Sequence, residues 1–380
     1  MAKILIVNVP LHGHVNPTLS LTKELVNRGH KVTYLLTEEF RPKVEATGAA
    51  FETFEFDTKK LFTVKNFRNI YDATHRLVKD YDCIVYGFMI FFGKELGDKF
   101  NKPSIRLISS FAWNRDISKV VFSNCNFKLR LLGSRTFRKI AFTKALKDIG
   151  TNIKDVIYEI TDNSPALNIV SITREFQIQN EKFEDRLYKF VGPSISDRID
   201  KVDIPFITMK DKLIYISLGT VFNDSLEFYK ECIKALKDVD STVIMSIGKN
   251  TKVEDLGVIS DNFFVYSFVP QLEVLKHANL FITHGGMNST NEAMYYGVPI
   301  IVVPQAADQP IVGKQVENLG MGIVINKNKV SSEKIRKSSL EVLNNPKYKK
   351  NMEKMKAKML EAGGDEAAAK EIEKLLRRKI

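Results

Sequence analysis

Cysteine is scarce: three residues in a chain of 380, Cys83, Cys125 and Cys232, far apart and without paired spacing. That excludes a disulfide framework or a cysteine-built metal cage and fits a reducing cytoplasm. No apolar run reaches the roughly 18 to 20 residues that a membrane-spanning helix needs. The opening MAKILIVNVP is far shorter, and no small-residue cleavage site follows it, so it reads as a buried strand. A soluble, cytoplasmic chain is expected, with peripheral membrane contact left open. There is no zinc-finger spacing, no aromatic RNA-binding signature and no helix-turn-helix pattern. The surplus of 57 Lys and Arg over 45 Asp and Glu, a net charge of +12, is spread along the chain as on solvated helices. Anionic small partners fit this charge, and nucleic acid is not expected. The triplets Asp80-Tyr81-Asp82 and Asp238-Val239-Asp240 match a DxD pattern, but neither lies by a candidate phosphate turn, and no cation is assigned.

What is present is ordinary globular composition, 44% hydrophobic and 27% charged, in a length suited to two domains. Ile4 to Val9 is a β-branched run closed by Pro10 and a glycine-containing loop. Thr18 to Arg28 then carries Leu19, Leu21, Leu25 and Val26 at helical spacing, Gly29-His30 ends it, and Lys31 to Leu36 is the next strand. This βαβ opening implies a parallel sheet. The alternation continues through Cys83 to Phe88, a helical stretch around Lys94 to Lys99, and Ser104 to Ser109. It restarts with strands at Leu213 to Leu218, Thr242 to Ile247, Asn262 to Phe268, Leu280 to Thr283 and Pro299 to Val303, and a helix over Ser225 to Leu236. The fold class is therefore α/β, with two Rossmann-like, doubly wound parallel-sheet domains. The polar stretch from Ser194 to Lys212, interrupted by Pro205, places a linker at about 197–212 between domains at 1–196 and 213–362. After Gly363-Gly364, a helix over 363–380 has Asp365 and Glu366 at its start and Arg377, Arg378 and Lys379 at its end, in agreement with its dipole. The basic, aromatic-bearing stretch Asn126 to Lys147 reads as a solvated amphipathic helix pair, or as a border to an apolar or anionic acceptor.

The densest chemical signal is Phe268 to Gln309. The strand LFIT runs into His284-Gly285-Gly286, and Asn288 and Ser289 open a helix. The glycines let a ligand approach the backbone, and the free amides and dipole of the helix start suit a phosphate or diphosphate. Glu292 lies one turn beyond Asn288, at a distance where a carboxylate can hold a ribose diol. A second glycine turn, Ser217-Leu218-Gly219-Thr220, follows the first strand of the second domain, and ligands of open α/β sheets bind outside such carboxyl ends. With Pro270-Gln271 before and Asp308-Gln309 after, the order suits a nucleotide-sugar site.

On FVPQLEVL, THGGMNSTNEAMYYGVPIIVVP and the following DQ, supported by HGHVNP at His12 to Pro17, SLGT at Ser217 to Thr220 and the late GGDEAAAKEIEKLL, the chain resembles the UDP-glucosyltransferase family. Within it, the bacterial macrolide and natural-product branch is the nearest likeness. The resemblance spans essentially the whole chain. It implies a GT-B fold, with two domains facing across a cleft, acceptor in the first and donor in the second, and a final helix that returns to the first. It implies that uracil stacks near Phe268, with Val269 and Gln271 holding its edge. His284, Gly286, Asn288, Ser289 and the Ser217-Gly219-Thr220 turn would bind the diphosphate, Glu292 the ribose, and Asp308 and Gln309 the sugar hydroxyls. It implies a metal-independent enzyme with no cofactor beyond the UDP-sugar. His14 would be the catalytic base, removing a proton from a hydroxyl of an apolar small-molecule acceptor, which then attacks C1 with inversion.

His14 is read as lying in the loop after the first strand; a turn or capping histidine is the plain alternative, and His12 is read as a structural neighbour. One departure from the family stands out. Many relatives have an acidic residue where this chain has Gly87, and that residue orients the base. Asp82, five residues back, would be about 16 Å away along a strand. Another acid such as Asp116 supplies the role, or the acceptor is acidic enough to need little help, or activity is reduced. A UDP-GlcNAc epimerase-like enzyme and a non-catalytic nucleotide-sugar-binding protein are the rival readings.

Overall fold

The apolar runs form short parallel strands buried on both faces, as strands covered by helices on each side must be. The computed structural model describes residues 1–378 apart from 124–130, 194, 196–203, 205, 207–208 and 220–224. Cys125, most of the 197–212 linker and residues 126–130 of the basic stretch lie outside the described residues. The chain divides into two compact units, Met1–Ser194 together with Glu361–Ile380, and Ile195–Leu360.

The first unit holds β1 (Lys3–Val7), β2 (Lys31–Leu36), β3 (Ala50–Thr53), β4 (Cys83–Gly87), β5 (Ser104–Ile108), β6 (Leu167–Val170) and β7 (Tyr188–Phe190). They form one sheet in the order β3-β2-β1-β4-β5-β6-β7, every neighbouring pair parallel. The order reverses between β1 and β4, whose register pairs Val7 with Tyr86, so a crevice opens beyond their carboxyl ends.

The helix Gly364–Arg377 belongs to this unit. Ala368, Ala369, Ile372 and Leu376 join the core built on β1, β2 and the helix His12–Asn27. Glu373 fixes its rotation, reaching His30 Nε2 at 3.2 Å and Arg28 Nη1 at 3.5 Å.

The second unit holds β8 (Leu213–Ser217), β9 (Thr242–Ser246), β10 (Phe263–Tyr266), β11 (Leu280–Thr283), β12 (Ile300–Val302) and β13 (Gly322–Val324). The order is β10-β9-β8-β11-β12-β13, again all parallel, reversing between β8 and β11 where Ser217 pairs with Thr283. Among the described residues, no helix is long and apolar enough to cross a membrane. Cys83 and Cys232 are buried free thiols, and burial pushes the Cys83 thiol up to about 12.

Candidate active site

The reversal point of the second sheet carries both glycine turns. Beyond β8 come Leu218 and Gly219, and beyond β11 come His284, Gly285 and Gly286. Gly219 and Gly285 have φ of 76° and 79°, the left-handed region that favours glycine. The turns enclose the His284 ring: a Cβ on Gly219 would lie 2.6 Å from its Cε1, and one on Gly286 would overlap Nε2 and sit 3.1 Å from Cε1. Thr283 Oγ1 is 3.3 Å from Nδ1. Thr220, expected in the same group, lies outside the described residues.

Desolvation pulls the His284 pKa down to about 4. The ring is therefore neutral at pH 7 and offers an anion one N–H rather than a positive charge. A base whose folded pKa lies below its unfolded value leaves the unfolded chain binding more protons in the window between them. Stability should fall as pH drops from about 6.5 toward about 4, by up to about 3 kcal/mol from this group. Chemical denaturation at several pH values should show that slope reduced in His284→Gln.

The helix Met287–Tyr296 starts at Gly286, which has φ −62° and ψ 141° and no side chain to cap the first-turn amides. No acidic residue occupies that turn, so its positive end is kept for an anion. Asn288 and Ser289 are half-buried there.

Behind them lies a network. Glu292 is buried and accepts from Gln271 Nε2 at 2.5 Å; the same nitrogen is 3.3 Å from Ser289 Oγ, and Tyr215 donates to Gln271 Oε1 at 3.3 Å. Gln271, expected to hold the edge of a base, thus ties the helix Gln271–His277 to the carboxylate. Tyr215 escaped the sequence reading, although a tyrosine inside a fully buried strand, LIYIS, needs a partner for its hydroxyl.

Phe268, before that helix, is 51% exposed, whereas Val269 is buried, so the ring is presented and its neighbour anchors it. Gln309 is buried, and its Oε1 accepts from Gln305 N at 2.7 Å and Ala306 N at 3.1 Å. Its carboxamide shapes the loop that carries Asp308, the half-buried N-cap of the helix Gln309–Asn318.

The reversal point of the first sheet carries His14, and the sequence reading of a loop needs correction. The helix starts at His12, so His14 is its third residue. Pro17, the sixth residue of that helix, forgoes the amide that would donate to the Gly13 carbonyl four residues back, and the helix continues through it. His14 is half-buried. Its carbonyl accepts from Asn8 Nδ2 at 3.0 Å. His12 is exposed and packs on Phe40 at 4.9 Å between ring centroids.

Asp116 opens the helix Arg115–Ser123 at the surface, with Oδ2 2.8 Å from Lys182 Nζ and Oδ1 3.2 Å from Lys119 Nζ. Both oxygens are engaged by lysines, which hold its carboxyl below the usual range. Asp82 accepts from Lys3 N at 2.7 Å at the amino ends of β1 and β4, opposite Gly87, and Asp240 pairs with Lys210 just before β9. Among the described residues, no group of three or more His, Cys, Asp and Glu is placed to hold a metal ion.

Comparison with known proteins identifies the family. Residues 12–91 match the glycosyltransferase family 28 N-terminal domain, and residues 230–375 match the erythromycin biosynthesis protein CIII-like C-terminal domain. The NDP-glycosyltransferase YjiC of Bacillus subtilis (strain 168) is 37% identical over 99% of this chain and 97% of its own. The oleandomycin glycosyltransferase of Streptomyces antibioticus is 26% identical over 98% of this chain and 90% of its own. The solved calicheamicin glycosyltransferase superposes with a TM-score of 0.83 at 27% identity, covering 100% of this chain and 99% of that one. These relatives do not favour an epimerase or a non-catalytic binding protein. The chain belongs to the UDP-glycosyltransferase family, in its bacterial natural-product branch with the GT-B fold, and is a glycosyltransferase.

Proposed function

We propose that the protein transfers a hexose, glucose in the first instance, from a UDP-sugar to a hydroxyl of a small or medium apolar acceptor, inverting the anomeric carbon. The observation that carries this reading is the neutral His284 ring held between two glycine turns at an uncapped helix start, with Glu292 buried one turn further on. The pyrophosphate takes hydrogen bonds from the first-turn amides and the His284 ring, the ribose diol meets Glu292, and the base stacks on exposed Phe268. Asp308 meets the sugar hydroxyls, on a loop shaped by the buried Gln309 carboxamide. His14 accepts the acceptor's hydroxyl proton, the oxygen attacks C1, and the C1–O bond to UDP breaks as helix amides and His284 stabilise the departing charge.

Two features support an apolar acceptor. Phe88 follows Gly87 directly, with its ring 5.5 Å from Trp113, and Trp113 is 6.3 Å from Phe122, so an aromatic group lines the carboxyl ends of β4 and β5. Relatives named for oleandomycin and calicheamicin transfer point the same way. The buried free thiols fit a cytoplasmic setting. The scheme uses no cofactor beyond the donor.

UDP at a hundredfold excess over its Kd should stabilise the fold by about 2.7 kcal/mol, read as a rise in melting temperature, and ADP at the same concentration much less. Equal shifts would contradict the uracil assignment. Mass spectrometry with several UDP-sugars and a phenol, macrolide and lipid panel then identifies sugar and acceptor.

A further inference from the structure

β1 ends in an apolar run, and the next residue, Asn8, is polar yet only 1% exposed. Its carboxamide is used at both ends: Oδ1 accepts from Val9 N at 2.9 Å, and Nδ2 donates to the His14 carbonyl at 3.0 Å. Only this orientation of the amide satisfies both partners, since one is an N–H and the other a C=O. The space it fills exists because of Gly87. The register that pairs Val7 with Tyr86 sets Gly87 beside Asn8, and a Cβ on Gly87 would overlap Asn8 Oδ1 and come within 2.6 Å of its Cγ. The departure from the family pattern at Gly87 and the buried Asn8 amide at the end of β1 are therefore a single arrangement.

We propose that Asn8 is the positioning residue for His14, its carboxamide occupying the room left by Gly87 and pinning the first turn of the helix His12–Asn27 to the end of β1. Leu11 completes the clamp, its carbonyl accepting from His14 N at 2.8 Å and Val15 N at 2.9 Å. The backbone that carries the imidazole is then fixed by an amide at the place where many relatives have a carboxylate on the neighbouring strand. Gly87→Asp would therefore not simply supply a carboxylate: an Asp there can enter only by ejecting the Asn8 amide.

The proposal rests on the role given to His14 under the proposed function, and the test separates the two. The His14 ring signals, assigned with His14→Gln, are followed by proton–nitrogen NMR in the unsubstituted protein and in Asn8→Ala. Transfer kinetics are measured on the same samples. Asn8→Ala should shift the His14 signals and lower kcat by about ten- to a hundredfold, with little change in KM for the donor. Gly87→Asp alone should also lower kcat, whereas Gly87→Asp combined with Asn8→Ala should recover part of it. If Asn8→Ala does not fold, Asn8→Asp keeps the acceptor for Val9 and removes the donor to His14, and it should show the same shift and loss. Unchanged His14 signals in the folded variant, or a faster Gly87→Asp enzyme, would overturn the proposal. Absence of transfer by the unsubstituted protein counts against the functional reading, and the NMR comparison still decides the role of Asn8.

Discussion

Replacing His14 with Ala should lower the transfer rate by about 10² to 10⁴-fold while leaving the affinity for UDP nearly unchanged. The size of the loss follows from the task. An acceptor hydroxyl is a poor nucleophile until its proton is removed, and His14, half-buried in the first turn of the first helix, is the group proposed to take it. The selectivity follows from the division of the chain: His14 lies in the unit containing Met1–Ser194, whereas Phe268, His284, Glu292 and Asp308 lie in Ile195–Leu360. An interaction needed only in the transition state lowers kcat and kcat/KM together, without changing ground-state binding of the donor. Single-turnover rates and calorimetric UDP titration of the variant check both halves. His12→Ala is the control, because that ring is exposed and packs on Phe40. Turnover retained in His14→Ala would remove this residue from the mechanism.

The glycine-rich half of the candidate site was legible because its local signals are contiguous. A buried strand, a glycine pair and a helix start all fall between Leu280 and Tyr296, and each is a local property of the chain. What lay hidden depends on distance in sequence. Asn8 reads as part of the strand run Ile4 to Val9, and nothing local shows that its neighbour across the sheet is Gly87. Tyr215 and Gln271 meet through the fold, and so does the commitment of Gln271 to Glu292. The neutrality of His284 is a matter of desolvation, which exists only once the glycine turns close around the ring. The first helix starts earlier than expected for the opposite reason: Gly13 and Pro17 are strong local breaker signals, yet Gly13 falls in the first turn, whose amides have few intrahelical partners, and Pro17 costs only the one amide of the sixth helical position.

The neighbouring glycines Gly285 and Gly286 allow a test that separates ligand binding from backbone geometry. Gly286 has φ −62°, a conformation open to any residue, so Gly286→Ala adds no backbone strain. It adds a methyl group where the His284 ring already lies, overlapping Nε2 and within 3.3 Å of Cδ2. The ring already packs closely against the Gly219 turn, an approach that the missing side chain there allows. The imidazole must rotate away from the helix start, costing about 1–3 kcal/mol of stability as overpacking does. If His284 and the first-turn amides grip the pyrophosphate together, losing that alignment should weaken UDP binding by about ten- to a hundredfold, or 1.4 to 2.7 kcal/mol. Gly285→Ala should behave differently. Its φ of 79° and its approach to Val302 make that change mainly a folding defect, seen in the melting temperature. Calorimetric titration with UDP and thermal melts on both variants separate the cases. A Gly286→Ala protein that binds UDP as tightly as the unsubstituted one would place the pyrophosphate elsewhere, because no nucleotide gripped at this turn can ignore a displaced His284.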